Sequence, residues 1–260
     1  MHIHRTPNYM ILMKSLSINF SVDTTKADCM QRYLPHSFMA DAQEIAHHHA
    51  TAIGFGYKDL ISTNSAWVLS RMKVRYLRAP KWNEQVTLTT WHKGRDGIFS
   101  LRDFEICNGE TGEVLIKATS SWLIIDLSTR RMLRTDHTLG ERGINTTLEK
   151  DAIAEHCQRI SVPKEPSAQF CRNVKVLYSD IDMNRHTNNA RYMMWALDSI
   201  PAETLQNNEI DEFQINFNME SKLNDTITIN TCPTSPETYY IEGVSVDGKN
   251  IFQTNIKFKK

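Results

Sequence analysis

The sequence is poor in the residues that mark flexible, disulfide-bonded or membrane-spanning chains. Only 10 of its 260 residues are Gly and 8 are Pro, which argues against long flexible linkers. The five cysteines are odd in number and form no CxxC pair, so a disulfide framework and a thiolate zinc site are both disfavoured. No apolar run reaches the roughly 18 residues of a membrane span. We therefore expect a cytoplasmic protein with no membrane span and no metal site.

The chain also lacks an excess of either charge. Lys and Arg number 30 and Asp and Glu number 30, so the formal net charge is zero. A nucleic-acid-binding protein usually carries a basic excess. We therefore expect no nucleic-acid partner, and any electrostatic recognition must come from local patches of charge.

Strand patterns dominate what is present. Polar and apolar residues alternate over 71–77, and β-rich residues continue over 85–91. Two further stretches, 98–126 and 239–258, each hold two strand patterns around a Gly-containing turn, which is typical of a hairpin. These patterns predict a largely antiparallel β-structure.

Two helices are predicted within this β-rich sequence. The first covers about Asp41 to Phe55, and the second covers about Asn189 to Ile200, before Pro201. The second helix is apolar around most of its circumference, which is typical of a helix buried on nearly all sides. The polar stretch 135–166 is predicted to be a linker, with a short helix around 148–157.

The two halves of the chain resemble each other at one offset. Adding 141 to Asp41 gives Asp182 (182 minus 41), and the same shift relates Lys81 to Lys222 and Asn83 to Asn224. An internal duplication accounts for this match. Each copy then consists of a buried helix and an antiparallel sheet. The prediction is an α+β double hot-dog fold, two helices wrapped by curved sheets, with an N-terminal unit at 1–140, a linker at 141–166 and a C-terminal unit at 167–260.

The densest polar cluster directly precedes the more apolar helix. It contains Asp182, Asn184 and His186, followed by Asn188 and Asn189. The helix N-terminus adds unpaired N–H groups and a partial positive charge, so the cluster could polarise a carbonyl and move a proton. The alternative is an N-capping loop, with Asn188 or Asn189 as the cap.

The duplication favours chemistry over capping. At the offset of 141, the first copy has Gln43 for Asn184, Ile45 for His186 and Ala79 for Glu220. A loop that served only as scaffold would tolerate the same residues in both copies. Strand alternation after Phe217 lets Glu220 face either a pocket or solvent.

The run from Asp182 to Pro201 resembles the signature of acyl-ACP thioesterases from bacteria and plant plastids. Further pieces that are similar to this family lie at 68–71, 90–91, 101–104, 121–126 and 129–131. The resemblance extends over about residues 15–258. It implies a double hot-dog fold whose N-terminal unit is a non-catalytic copy with the acyl-chain tunnel.

The resemblance implies hydrolysis of the thioester between a fatty acyl chain and acyl carrier protein in fatty acid biosynthesis, without a cofactor. Carried over by position, the catalytic set is Asp182, Asn184, His186 and Glu220. The favoured mechanism is general-base catalysis. Glu220 and His186 would activate water, Asn184 and the helix N-terminus would bind the oxyanion, and Asp182 would orient the loop. Which of Glu220 and His186 takes the proton stays open.

At Ser221 the sequence differs from the usual pattern of the family. Plant members usually have Cys directly after the Glu, so either Ser221 is a spectator or a Cys-nucleophile mechanism is excluded. Three alternatives remain: an acyl-CoA thioesterase of the same fold, a non-catalytic acyl- or carrier-binding module, and dehydratase chemistry. The partner implied is acyl carrier protein, and a homodimer is one possible assembly.

Two basic groups could dock an acidic carrier protein, or could simply be solvated. The first is Arg71, Lys73, Arg75 and Arg78, and the second is Arg130, Arg131 and Arg134. Two other motifs are interpreted as structural. The HxxxDG sequence from His92 to Gly97 is interpreted as a hairpin turn, and His47–His49 as part of a partly exposed helix.

Overall fold

A computed structural model describes residues 13–134, 140, 145–163 and 170–260. The parts of the predicted linker at 135–139, 141–144 and 164–166 lie outside the described residues, as do residues 1–12 and 167–169 of the two predicted units. Below, the first half means residues 13–134 and the second half means residues 170–260. The helices are α1 (Pro35–Ala52), α2 (Tyr57–Ile61), α3 (Asn189–Leu197) and α4 (Ala202–Asn207).

The strands alternate in residue pattern as predicted, with turns between them. They are β1 (Ser15–Ser21), β2 (Ser65–Tyr76), β3 (Gln85–Asp96), β4 (Phe99–Asn108), β5 (Val114–Asp126), β6 (Met132–Leu133), β7 (Phe170–Lys175), β8 (Ile210–Phe217), β9 (Thr226–Ser235), β10 (Thr238–Ser245) and β11 (Asn250–Phe258). Both predicted hairpins are confirmed, as β4–β5 and β10–β11.

All these strands belong to one antiparallel sheet. Its order is β1-β3-β4-β5-β2-β8-β11-β10-β9-β7, with β6 paired to β5. The halves meet edge to edge at β2 and β8, where Lys73 pairs with Gln214. These two residues differ by 141 (214 minus 73), so the centre of the pairing is also the centre of the internal two-fold relation. The predicted continuous sheet and the α+β double hot-dog class are confirmed.

The two long helices, α1 and α3, pack into one large apolar core. α1 contacts β1 and β3, α3 contacts β9, β10 and β11, and the two helices contact each other. Phe38 from α1 and Met193 from α3 are both fully buried in this core, together with Phe213 from β8. Burial of each such side chain stabilises the fold by about 1.5–3 kcal/mol. The prediction that the second helix is buried on nearly all sides is confirmed.

The single offset between the halves is wrong for the segments that precede the helices. The offset of 141 holds at the turn after β2, where Asn83 and Asn224 both have positive φ. Upstream, Asp28 and Asp182 occupy equivalent places in equivalent loops, an offset of 154 (182 minus 28). The first half has 13 more residues between loop and strand (154 minus 141), and α1 is 18 residues long against 9 for α3. Asp41 is therefore a residue within α1.

Two helix predictions also need correction. α1 begins at Pro35, six residues before the predicted Asp41, because Pro is well suited to the first turn of a helix. The predicted helix at 148–157 does not form. Its backbone carbonyls accept hydrogen bonds from strand side chains instead, with Trp91 donating to Lys150, Lys93 to Ile153 and Arg71 to Cys157.

Candidate active site

The polar loop, residues 182–188, is a tight turn held by its own backbone. The Asp182 N–H donates to the His186 carbonyl at 2.9 Å, and Arg185 takes a positive φ of 64°. The Asp182 Oδ1 accepts from the Asn184 N–H at 2.8 Å. Asp182 thus fixes the shape of the loop, and the Asn184 side chain is exposed at its tip.

The loop leads directly into α3 through a capped N-terminus. The Asn188 side chain accepts from the Ala190 N–H at 2.9 Å, so Asn188 is the N-cap, as one of the two alternatives predicted. The Asn189 amide donates to Gln43 of α1 at 3.1 Å. Capping explains the presence of Asn188 at this position. It gives no role to the side chain of His186, whose backbone carbonyl alone takes part in the turn.

His186 and Glu220 form the central pair of the site. The His186 Nε2 lies 3.2 Å from the Glu220 Oε2, and both side chains are partly exposed. Glu220 lies after the end of β8 at Phe217. The alternation argument therefore does not apply to Glu220, whose position is set by the connection that follows the strand.

Arg130 from the first half completes this pair. It lies in the turn after β5 with a positive φ of 58°, and Asp126 Oδ1 anchors that turn by accepting from the Thr129 N–H at 2.7 Å. The Arg130 guanidinium donates to the Glu220 carboxylate. Sequence reasoning included Arg130 only as a docking candidate. No sequence signal linked it to Glu220, because 90 residues separate the two.

Ser221 is buried in a separate hydroxyl cluster. Its Oγ lies 2.7 Å from the Thr187 Oγ1 and 2.9 Å from the Tyr192 hydroxyl. Only 1% of Ser221 is exposed. Burial also raises the pKa of Tyr192, so the phenol stays neutral. The cluster ties the polar loop, α3 and the connection after β8 together.

The equivalent loop of the first half, residues 28–34, has different side chains on the same backbone. Met30 occupies the place of Asn184, Arg32 the place of His186, and Ala79 the place of Glu220. The partners assigned at the single offset, Gln43 and Ile45, are therefore wrong. Asp is still shared by both loops, and His, Asn and Glu occur together only in the second.

The first basic group is not a free surface. Arg75 contacts Glu155 and Glu212, and Lys73 lies 3.4 Å from Glu155 with its side chain 15% exposed. Segment 151–160 lies across this face of β2 and neutralises it. Of the second group, Arg130 contacts Glu220 and Arg131 is exposed beside it.

Both structural interpretations are confirmed. The HxxxDG sequence ends at the β3–β4 turn. His47–His49 lie on the partly exposed helix α1, where His47 and His48 are exposed and His49 is fully buried. His49 accepts from Arg102 at Nδ1, 2.9 Å away, and burial lowers its pKa to about 4.

The described residues contain no helix long and apolar enough to cross a membrane. In that same part of the chain, no three His, Cys, Asp or Glu side chains are grouped so as to hold a metal ion. What the site presents is an imidazole beside a carboxylate, at the N-terminus of a buried helix. Groups of this kind serve in general-base chemistry at a carbonyl.

The structure is a double hot-dog fold in which two equivalent loops have the same backbone turn and different side chains. The sequence matches the acyl-ACP thioesterase N-terminal domain over residues 14–141 and the acyl-ACP thioesterase C-terminal domain over residues 163–260. The chain belongs to the acyl-ACP thioesterase family.

Curated relatives agree with this assignment. A chloroplastic palmitoyl-acyl carrier protein thioesterase of Gossypium hirsutum is 30% identical over 214 residues, which are 78% of this chain and 51% of the relative. A chloroplastic oleoyl-acyl carrier protein thioesterase of Arabidopsis thaliana is 26% identical over 74% of this chain and 57% of its own length. The chain therefore spans about half the length of these relatives.

Solved structures share the whole fold. An acyl-ACP thioesterase from Bacteroides thetaiotaomicron superposes with a TM-score of 0.85 at 24% identity, covering 95% of this chain and 98% of that one. The 12:0-ACP thioesterase from Umbellularia californica gives 0.86 at 20% identity, covering 94% and 97%. At these identities the likeness establishes the double hot-dog architecture.

Proposed function

We propose that this protein hydrolyses the thioester of an acyl-acyl carrier protein and releases a free fatty acid. The observation that carries the proposal is the His186–Glu220 pair, 3.2 Å apart beside the N-terminus of α3. Its counterpart in the first half is Arg32 and Ala79, which cannot act as such a pair. Family membership supplies the substrate class.

In the proposed mechanism, His186 is the general base and Glu220 orients it. Glu220 is placed to accept from the Nε2–H of a neutral imidazole, and Arg130 donates to the same carboxylate oxygen, Oε2. The tautomer with its proton on Nε2 leaves Nδ1 as the acceptor. Nδ1 then takes a proton from water as the water oxygen attacks the thioester carbonyl carbon.

Asn184 and the N-terminus of α3 would stabilise the oxyanion of the tetrahedral intermediate. The side-chain amide of Asn184 is exposed at the loop tip and makes no hydrogen bond with any described residue, so it is free to donate to a substrate oxygen. The backbone N–H of Asn184 is the group that Asp182 accepts from. Collapse of the intermediate breaks the C–S bond. The imidazolium proton passes to the departing thiolate, and the carboxylic acid is released.

Asp182 would act through the loop and not on the substrate. Its carboxylate is occupied by the Asn184 backbone N–H. Ser221 would be a spectator in the reaction, since its hydroxyl is buried against Thr187 and Tyr192. The N-terminal half would hold the acyl chain, as the family resemblance implies.

Docking of the carrier protein would use the second basic group, because it adjoins the site. Arg131 is exposed next to Arg130, whose guanidinium is already at Glu220. An acidic carrier seated there would deliver its thioester close to His186. The first basic group is unsuited to docking because acidic residues and segment 151–160 neutralise it.

The decisive experiment is a hydrolysis assay of the purified chain on acyl carrier proteins of several acyl lengths, with the corresponding acyl-CoAs alongside. We expect release of thiol and free fatty acid, and we expect the His186→Ala variant to lose it. Faster turnover of acyl-CoA would favour the CoA-directed alternative. Binding of acyl carrier protein without any thiol release would contradict the proposal and favour the non-catalytic module.

Two further expectations rest on the sequence and stay predictions. A cytoplasmic location is one, and cell fractionation would test it. A homodimer is the other, and sedimentation equilibrium would test it.

A further inference from the structure

A cavity lies against the loop of the first half, at 28–34. Its volume is about 210 Å³. An engineered apolar cavity of about 150 Å³ is large enough for benzene, so this one can hold a small apolar molecule or one end of an alkyl chain. Its apolar lining comes from Leu34, Pro35, Ala79, Met194, Leu197 and Leu205.

The internal two-fold relation places this cavity where the second half has its His186–Glu220 site. The residue in the place of His186 is Arg32, and its guanidinium is already engaged. It donates to the Asp28 carboxylate at 2.9 Å and to the Leu205 and Asn208 carbonyls at 2.6 and 2.7 Å. At the place of His186 the cavity therefore has no imidazole, and the cation that stands there is already paired.

Two neutral polar groups in the lining have no hydrogen-bond partner among the described residues. They are the Tyr76 hydroxyl and the His36 Nδ1. Tyr76 is only 4% exposed, and burial raises its pKa, so the phenol keeps its proton to donate. Burial also lowers the pKa of His36, which keeps that imidazole neutral. Buried polar groups normally have a hydrogen-bond partner, so these two atoms are available to a ligand in the cavity.

The charged residues of the lining are already matched within the protein. Asp28 pairs with Arg32 at 2.8 Å. Glu209 pairs with Lys259 at 3.0 Å, and Asp198 lies 3.4 Å from Arg172. An anionic ligand would therefore meet three carboxylates and one arginine that is already paired, whereas a neutral ligand would disturb none of these pairs.

We propose that this cavity is a second, non-catalytic binding site for a neutral amphiphile, an alkyl chain headed by one carbonyl or hydroxyl oxygen. The chain occupies the apolar lining, and the head oxygen accepts from the Tyr76 hydroxyl. A hydroxyl head can in addition donate to the His36 Nδ1. The first half would thus keep a ligand site where the second half keeps a catalytic one.

Binding of 1-decanol and methyl decanoate to the full chain, measured by calorimetry, tests this site. We expect one equivalent of each probe to bind at the cavity. Tyr76→Phe should raise the dissociation constant of the probe at the cavity about three- to tenfold, which corresponds to the loss of one neutral hydrogen bond. The ligand-free variant should unfold at the same temperature or higher, because the hydroxyl has no partner to lose. Decanoate should bind more weakly than decanol.

A thiol at the cavity provides a second test that does not depend on Tyr76. Cys29 lines the cavity and is an exposed free thiol, as is Cys171 on β7. In a Cys171→Ser chain, a bulky maleimide attached to Cys29 should abolish binding of the probe at the cavity. In a Cys29→Ser chain, the same adduct on Cys171 should leave that binding unchanged.

Three results would overturn the proposal. They are absence of binding by both probes, an affinity and a number of bound equivalents that change with neither Tyr76→Phe nor the Cys29 adduct, and equal affinity of the cavity for decanol and decanoate. No thioester is hydrolysed in these measurements. A failure here is therefore distinct from a failure of the proposed function.

Discussion

The loops that precede α1 and α3 have the same backbone and opposite uses. Asp28 and Asp182 each donate an N–H to the carbonyl four residues on, at 2.9 Å in both. Their side chains each accept from the N–H two residues on, at 2.8 Å in both. Since the shared Asp and the backbone make the turn, the positions of Asn184 and His186 are free to differ. The comparison teaches that the fold of this loop does not require the proposed catalytic residues.

The residue that follows this shared turn is used differently in each half. Arg32 is half-buried and binds two carbonyls at the end of α4 together with Asp28. Within the described part of the chain, the polar contact of the His186 side chain is with Glu220, which also contacts Arg130 from the other half. The first loop therefore holds the end of α4 in place through Arg32. The second loop presents an imidazole to a partly exposed site.

The largest expected effect separates these two roles. His186→Ala and Glu220→Ala should each lower kcat by about 10²- to 10⁴-fold, the usual contribution of a general base. Neither should change the free energy of unfolding much, since both side chains are partly exposed. Steady-state kinetics with an acyl-acyl carrier protein and urea unfolding of the same samples measure both.

Arg32→Ala is the matched control in the other loop. It should lower the free energy of unfolding by about 1.5–3 kcal/mol, since hydrogen bonds of a charged group are worth that much. Its kcat at a temperature where it stays folded should match that of the wild type. Loss of kcat in Arg32→Ala, or retention of kcat in His186→Ala, would contradict the division of roles.

The next effect is a loss of stability on acidification that originates in the first half. Burial lowers the pKa of His49 and of His92 to about 4, and the two side chains are 0% and 5% exposed. Between pH 6.5 and 4 the unfolded chain binds protons that the folded chain does not, so stability falls as pH falls. Each imidazole should cost roughly 1–2 kcal/mol between pH 7 and 5.

Urea unfolding at pH 7 and pH 5 measures this loss, and His49→Gln should make it smaller. A loss between pH 7 and pH 5 that stayed the same in His49→Gln would contradict the assignment to His49.

Ser221→Ala should lower the free energy of unfolding by about 1–2 kcal/mol and leave kcat nearly unchanged. The buried hydroxyl contacts Thr187 and Tyr192, and both keep one other hydrogen bond to the Ser221 backbone. Thermal unfolding and kinetics on the same preparation separate the two quantities. A covalent acyl group on Ser221, detected by mass spectrometry after quenching, would make this residue a nucleophile and overturn the proposed mechanism.

The smallest effect tests carrier docking near one loop and not the other. Arg131→Glu should lower kcat/KM for acyl-acyl carrier protein by about two- to fivefold at low ionic strength, since charges at an interface rim act on the association rate and are screened by salt. Lys81→Glu, beside the loop of the first half, should change it little. Hydrolysis of a short acyl-pantetheine should be unaffected by both. Equal losses for the carrier-bound and the short substrate would make Arg131 structural.

Much of the fold could be predicted from the sequence because its signals are local. Alternating residues and Gly-containing turns placed both hairpins, and the repeat at Asn83 and Asn224 placed equivalent turns. The apolar circumference of the second helix predicted its burial. The start of α1 and the extra 13 residues of the first half were missed, since a single offset hides an insertion inside a helix.

The candidate site was predictable in part for the same reason. Asp182, Asn184 and His186 stand together in sequence, and the duplication singled them out even though their first-half counterparts were misassigned. Pairing of His186 with Glu220 is a tertiary contact, as is the approach of Arg130 from the turn after β5. Their meeting depends on how two distant segments pack, which no local pattern records.

The sequence by itself determined the strands, the duplication and the residue types of the polar loop, because backbone preferences and side-chain chemistry act over a few residues. The tertiary structure decided which charges are free. It covered Lys73 with segment 151–160 and buried Ser221 among hydroxyls. It also placed the Tyr76 hydroxyl at a cavity, where no described residue is its hydrogen-bond partner. Burial and pairing depend on neighbours that are far apart in the chain, and they set whether a polar group stabilises the fold or remains available to a ligand.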